Sequence, residues 1–359
     1  PSNERDYNRS PHKSELYQLK LKKVELYRSL DTGTLVRRQP EWQVLDGMWI
    51  YGKKYNAAAS PPCQATVRWV VKGGPMDAAL YDAHADAVRA ATHEAQLAIT
   101  ATYRLVFKLV DLTQAFQATR VKPGSPPVYT KQMSGFEEVP PGAPAGSWYK
   151  DYCLRLNCTF QGTINGSSGL GDNVKVILTQ EAFMTQLVWG RKAFWIYNGP
   201  QAGSLDEVCA LRDAGKLDGV TSKGVPLGWA LVLVHADDFP SCATSTALLD
   251  FIEKVLQRHY KTTCTDGART LGRNLEFFDG FIRSDCNDYW TRQAEEHGAL
   301  DCSTPKHFSD PDSLSFAPDE EQVPVKGEPK YAAFELMQSE ARAMIGAGTW
   351  GASIDPRAK

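Results

Sequence analysis

The chain has 359 residues, 42% of them hydrophobic and 23% charged, with 40 Lys and Arg against 42 Asp and Glu. This length exceeds one typical domain but suits a single large, lobed one, and the composition is ordinary for a globular protein. No apolar stretch is long enough to span a bilayer and Pro1 to Lys23 hold no signal-peptide core, so an intracellular protein with no membrane partner is expected. Its start at Pro1 and its end at Asp355-Pro356-Arg357-Ala358-Lys359 read as a piece of something longer.

The eight cysteines show no Cys-x-x-Cys and no histidine at metal spacing. Reduced thiols are therefore expected in place of a zinc site or a disulfide framework. A net charge of -2 gives no general affinity for nucleic acid, which needs clustered Lys and Arg. Residues 1–72 do hold 13 Lys/Arg against 7 Asp/Glu, while acid gathers late at Asp310, Asp312, Asp319, Glu320, Glu321 and Glu328. The basic stretch reads equally well as a solvated helix face.

In chain order, Leu16, Leu19, Val24, Leu26 and Leu30 among Lys and Glu predict a surface helix over 14–30. Short strands follow at Trp49-Ile50-Tyr51 and Thr66–Val71, the second broken by Gly73-Gly74-Pro75. An Ala-rich helix is expected over 77–102 and a strand over Leu105–Val110. Residues 122–147 read as loop. Residues 154–187 should hold a Gly-rich turn and then a helix. A strand at Ala230–Val234 precedes a helix over 244–260, whose Leu248, Leu249, Ile252, Val255 and Leu256 share a core-facing stripe. One strand over Leu275–Ile282, a short helix over 288–297 and an acidic linker over 306–329 complete the reading. Helices and strands mix without a βαβ repeat, so the predicted class is α+β.

Two strand ends carry the chemistry. Leu231-Val232-Leu233-Val234 runs into His235-Ala236-Asp237-Asp238-Phe239, and Leu105–Val110 runs into Asp111-Leu112-Thr113-Gln114-Ala115-Phe116. Adjacent ionised carboxylates repel unless a cation offsets them, and hard oxygen ligands at strand ends suit Mg²⁺. Two such ions can clamp an in-line phosphoryl displacement. Taken singly, each piece has a plain structural alternative. Asp-Asp after a strand is often a solvated turn, Phe116 a core residue and Arg68 a sheet-edge charge; Gln161-Gly162 and Asn165-Gly166 are often turns.

Taken in order, the pieces resemble the reverse transcriptase domain of copia-type retrotransposon polyproteins, from about Trp49 to the end of the chain. Trp49-Ile50-Tyr51 and Thr66-Val67-Arg68-Trp69-Val70-Val71-Lys72-Gly73 resemble the family's fingers hairpin, and Val110–Phe116 its "L-D-V-K-T-A-F" motif. Val128–Phe136 is similar to "I-Y-M-x-Q-P-x-G-F", Phe160–Asn165 to "L-Y-G-L-K-Q", and Val234–Asp238 to "Y-V-D-D". Leu271-Gly272 with Phe277–Phe281 resembles the primer grip. Cys302–Pro305 and Ala343–Ala347 resemble segments leading toward a ribonuclease H domain. His235 and Ala236 depart from the usual Tyr and Val or Met, Ile164 and Asn165 from Lys and Gln, and Gly73-Gly74 lacks the aromatic that commonly follows.

The resemblance implies a right-hand fold with an antiparallel palm sheet. Residues 1–46 would be a basic helical extension, 47–104 the fingers, and 105–270 the palm with a fingers insertion over about 122–150. Residues 271–305 would be primer grip and partial thumb, and 306–359 a connection segment. It implies RNA-directed DNA polymerisation by Asp111, Asp237 and Asp238, with two Mg²⁺ ions (or Mn²⁺ in their place) on Asp111, Asp237 and the Leu112 carbonyl. Arg68, Lys72, Leu112, Phe116, Gln161, Gly162 and Asn165 would bind the nucleotide, with Phe116 under the sugar. His235, Phe278 and Gly280 would meet the primer. The implied partners are an RNA or DNA template-primer, dNTPs, and a ribonuclease H domain or second chain, in the cytoplasm (as a virus-like particle) or nucleus. The competing expectation is a catalytically degenerate, host-adopted relic that keeps the fold as a binding or scaffold module. A metal-dependent nuclease or other phosphotransferase ranks third.

Overall fold

A computed structural model describes residues 12–55, 63–81, 88–188, 190–199, 204–267, 269–270 and 273–286. The helix expected over 288–297, the linker over 306–329, and the segments at 302–305 and 343–347 lie outside the described residues. In chain order the elements are helix α1 (His12–Ser29) and strands β1 (Gly33–Arg37), β2 (Val44–Leu45), β3 (Gly47–Tyr55) and β4 (Cys63–Val71). Then come α2 (Ala90–Thr102), β5 (Val106–Thr113), α3 (Ala115–Ala118), β6 (Tyr129–Thr130), a 3-10 turn (Tyr149–Asp151), β7 (Tyr152–Leu156) and α4 (Gly166–Gln180). The rest are β8 (Thr185–Leu187), β9 (Gly190–Tyr197), α5 (Leu205–Asp213), β10 (Trp229–Leu233), β11 (Asp238–Ala243), α6 (Thr246–Gln257), β12 (Lys261–Thr265), β13 (Arg269–Thr270), β14 (Arg273–Phe278) and β15 (Phe281–Asp285). The protein is a mixed α/β chain with several sheets and, among the described residues, six α-helices.

Two compact units result, Pro1–Val88 with Val106–Thr265, and Arg89–Leu105 with Asp266–Lys359. The first holds a six-stranded sheet in the order β12-β5-β11-β10-β9-β8, antiparallel throughout. The amphipathic stripe of α6 (Leu248, Leu249, Ile252, Val255, Leu256) joins Leu170, Val174, Ile177 and Leu178 of α4 in one buried cluster. Val110 and Leu112 of β5 and Phe239 of β11 belong to it too, which fixes the height of the strand ends that carry the acidic residues. α6 starts at Ser245, whose side chain accepts the Leu248 N–H, and keeps its expected place.

A second core of the same unit gathers Val24 and Tyr27 of α1, Trp69 and Val71 of β4, Leu45, Leu156 and Phe160. Around it lie the β3–β4 ribbon and a small sheet in the order β1-β7-β6-β2. Pro240 falls inside β11, a strand that the sequence reading did not expect. The β10–β11 register stops at Val232 and Ser241, just short of the proline, so its missing N–H breaks no ladder there.

The second unit, by itself, contains α2 and the β13-β14-β15 sheet. Its helix begins at Ala90, well after the expected 77: residues 78–80 form a turn in which the Ala79 N–H binds the Asp77 side chain at 2.9 Å. The single strand expected over 275–282 is a hairpin, because Gly280, at φ 79, supplies the left-handed residue of a tight turn. Arg273, with a nearly buried side chain, pairs with Glu94 of α2.

One joint ties the ribbon to the loop before α4. Val71 N–H donates to the Gln161 carbonyl and Gly73 N–H to the Gly162 carbonyl, each at 3.0 Å. Gly162 sits at φ 90, where a Cβ would collide with the Val71 carbonyl oxygen, and a Cβ on Gly73 would collide with the Gly162 carbonyl. Only two glycines allow the backbones to approach this closely. Gly162→Ala should therefore lower stability by about 2–4 kcal/mol, the sum of left-handed strain and overlap. Gly124→Ala, at φ 83 with open space around it, should show only the smaller strain cost. Equal losses in chemical denaturation would show that the close approach contributes nothing.

Candidate functional site

The strand register builds the site. β5 and β11 run antiparallel, with Val110 opposite Phe239 and Asp111 opposite Asp238. β10 reaches β11 through a tight turn in which His235 and Asp238 exchange both backbone hydrogen bonds, each at 2.8 Å. Ala236, at φ 53, occupies a left-handed conformation that costs a non-glycine residue roughly 1–2 kcal/mol. The turn is tied sideways as well, since the Asp237 carbonyl accepts the Leu112 N–H at 2.8 Å. Asp111 thus meets Asp237 and Asp238, more than a hundred residues away in sequence, at one corner of the sheet.

All three carboxylates are half-buried. Burial, then the charges of Asp237 and Asp111, push the Asp238 carboxyl up to about 6. Burial also lowers the His235 imidazole while the Asp237 charge pulls it the other way, and its Nδ1 is buried without a hydrogen-bond partner among the described residues. The neighbourhood therefore disfavours both uncompensated negative charge and a charged imidazole.

The donor set suits a magnesium ion. Among the described residues, no three Asp, Glu, His or Cys side chains converge into a ready metal cage. Mg²⁺ is commonly held instead by one or two carboxylates, with substrate phosphate oxygens completing the shell. Asp111 and Asp237 supply such carboxylates. The N–H and C=O of a strand residue point the same way, so the Leu112 carbonyl faces the Asp237 turn.

Phe116 follows the end of β5 by a strained route. Gln114 ends β5 at φ 61 and ψ 34, turning the chain into α3. The Thr159 hydroxyl donates to the Phe116 carbonyl at 2.7 Å. Half-buried against the main core, the Phe116 ring lies near the start of α4, 3.5 Å from where a Cβ on Gly166 would stand. Sequence reasoning missed Gln114, Ala236, Thr159 and Gly166. Left-handed backbone at a non-glycine residue and a contact across forty residues leave no local signature.

The other expected residues are less tightly gathered. Gln161 and Gly162 receive the end of β4, which brings Lys72 beside them, its N–H donating to the Asp46 carbonyl at 2.7 Å. Asn165 precedes α4 without capping it by a side-chain hydrogen bond. Arg68 is exposed on β4 opposite Ile50; burial, and then the Arg68 charge, holds Lys23 of α1 below the usual lysine range. Phe278 and Gly280 sit on the β14–β15 hairpin of the second unit, where Phe278 stacks on Phe281 at 4.5 Å.

Asp238 gives a pH test. Its pKa is raised in the fold, so the folded protein holds that proton more tightly than the unfolded chain. Its contribution favours folding as pH falls from about 6 toward 4, and penalises folding above 6. Asp238→Asn should stabilise the protein by about 1 kcal/mol at pH 8, discounted for partial exposure, and by almost nothing near pH 4. Melting curves of both proteins at the two pH values check this; an equal difference at both would refute the repulsive cluster.

No family model and no curated protein sequence matches this chain.

Proposed function

We propose that the protein is an RNA-directed DNA polymerase of the copia-type retrotransposon class, a right-hand polymerase whose palm is the six-stranded sheet. The observation that supports it most is the juxtaposition of Asp111, Asp237 and Asp238 at adjoining strand ends, with the Leu112 N–H fastening the Asp237 turn to β5. Further support comes from the β4 end docked on Gln161-Gly162, which puts the segment after Arg68 beside the loop leading to α4.

On this reading Asp111 and Asp237 hold divalent ions, and Asp238 sets the negative potential around them. Bound Mg²⁺ would acidify the primer hydroxyl and neutralise the leaving pyrophosphate. Arg68 and Lys72 receive the triphosphate, Arg68 through its planar fork. Phe116 lies under the sugar, while Gln161, Gly162 and Asn165 contact the incoming nucleotide or template. His235 meets the primer. The partners on this reading are a template-primer, dNTPs and a ribonuclease H domain or second chain, inside the cell. Among the described residues, no helix is long and apolar enough to cross a membrane.

A scaffold relic is the second reading, favoured by the buried His235 Nδ1 at the turn, which has no hydrogen-bond partner among the described residues. Primer extension on an RNA template with Mg²⁺ separates the two. Asp237→Asn should lower extension roughly 10²–10⁴-fold, the loss of several kcal/mol of charge stabilisation, without lowering the melting temperature. Absence of extension by well-folded protein, with and without an added ribonuclease H domain, would leave the relic reading standing.

Phe116 gives a test of sugar selection. Phe116→Val should raise the rNTP/dNTP ratio of kcat/KM by roughly tens to thousands of fold, since steric overlap with a 2′-hydroxyl costs a few kcal/mol. A Phe116 that only packs would instead lose about 3 kcal/mol or more of stability on truncation to Ala and leave the ratio unchanged. Kinetics with both nucleotide types, measured beside melting curves, decide between these outcomes.

A further inference from the structure

A cavity of about 440 Å³ lies between the small β1-β7-β6-β2 sheet and the start of the β3–β4 ribbon. No carboxylate of the Asp111 cluster lines it. Its rim is basic, with Arg38, Lys131 and Lys150 against Glu137. Two of these four are already occupied. Lys131 pairs with Asp46 at 2.5 Å, and the Glu137 carboxylate accepts the Gly135 N–H at 2.8 Å. Lys150 rests 4.1 Å from the centre of the exposed Trp148 ring, a contact that leaves its ammonium protons available. The exposed Arg38 guanidinium makes no hydrogen bond or ion pair among the described residues.

The interior supplies the second observation. Trp69 lines the cavity and is 1% exposed, yet its Nε1 is buried without a hydrogen-bond partner among the described residues. That edge of the indole lies against Gly47, another lining residue, where a Cβ would stand 2.9 Å from Nε1. A buried, unpaired indole donor is costly, and in native proteins such a group usually answers to something. The walls are rigid. Buried Gln132 donates to the Tyr149 and Glu138 carbonyls, both at 3.0 Å, and accepts the Glu138 N–H at 2.9 Å. All hydrogen-bonding ends of its amide are thus spent on bracing the two loops that frame the opening.

We propose that this cavity binds a nucleoside monophosphate unit, with the planar base against Tyr149 and over the wall that Trp69 and Gly47 form. The phosphate sits at the rim on Arg38, through a two-pronged charge-assisted contact, and on Lys150. A volume of this size suits such a ligand, and a mixed aromatic and cationic lining selects a flat ring that carries an anion. The unit comes either from a free nucleotide or from an unpaired position of a nucleic-acid strand. The inference does not depend on the polymerase reading, because it uses none of the carboxylates.

The test is calorimetric titration of the full chain carrying Asp237→Asn, in EDTA, with AMP as the probe. Adenosine and inorganic phosphate serve as separate arms. Saturable AMP binding is expected, tighter than either half alone, and weakened about tenfold or more by Arg38→Gln at an unchanged melting temperature. Tyr149→Ala should weaken AMP and adenosine while leaving phosphate unaffected. A short single-stranded oligonucleotide that displaces AMP at lower concentration assigns the strand as the source, and failure to displace assigns the free nucleotide; either supports the site. Lack of saturable AMP binding at millimolar concentration, inorganic phosphate binding as tightly as AMP, or AMP binding unchanged by Arg38→Gln would each overturn it.

Discussion

Three carboxylates held at one corner of a sheet are a cost that the rest of the first unit must carry. Asp111 and Asp238 face each other across adjacent strands, and Asp237 is fastened beside them by the Leu112 N–H. Like charges directly opposite each other on a sheet are destabilising, and the Asp238 carboxyl is pushed up to about 6 by burial first and by the Asp237 and Asp111 charges second. The arrangement survives because neither strand can slip. Val110, Leu112 and Phe239 alternate with the acidic positions and are locked into the core beneath α4 and α6. A shift of one residue would turn every apolar side chain of a strand away from that core. Burial thus sets the register, and the register places the charges.

Backbone strain gathers at the same corner. Gln114 and Ala236 both take left-handed conformations that glycine would adopt at no cost, one just after Asp111 and the other just before Asp237. Strain of this kind persists only where the surrounding structure over-determines it. Here the well-packed sheet holds the ends of two strands while the segments beyond them bend sharply. The close joint of Val71–Gly73 with Gln161-Gly162 extends the same logic to the ribbon. Basic side chains from a separate piece of sheet become neighbours of the loop that leads to Phe116's surroundings. Charge and backbone strain therefore concentrate at one corner of the first unit's sheet.

Much of the framework was legible from local pattern. The stripe of α6, the apolar runs of β5 and β10 and the break after β4 all follow from periodicity, capping and glycine placement, and appear within a few residues of the expected positions. The Asp-Asp pair after one strand and the lone Asp after another were visible as candidates by residue type alone. Less legible were the late start of α2, where the Asp77 side chain competes for backbone N–H groups, and the hairpin at Gly280, where aromatic residues run straight through the turn. β11 was hidden by Pro240, which propensity alone would exclude from a central strand.

By itself the sequence determined which segments are apolar enough to be buried, where the striped helix α6 lies and which residues carry chemistry-bearing groups, because those properties reside in short stretches of chain. It could not determine that Asp111 faces Asp238, that Gly162 meets Val71, or that the Trp69 indole N–H beside Gly47 is left without a partner among the described residues. Those facts depend on strand order and register, and on how closely two backbones approach. Such quantities are set by the simultaneous burial of residues tens to more than a hundred positions apart, and only the folded chain decides them.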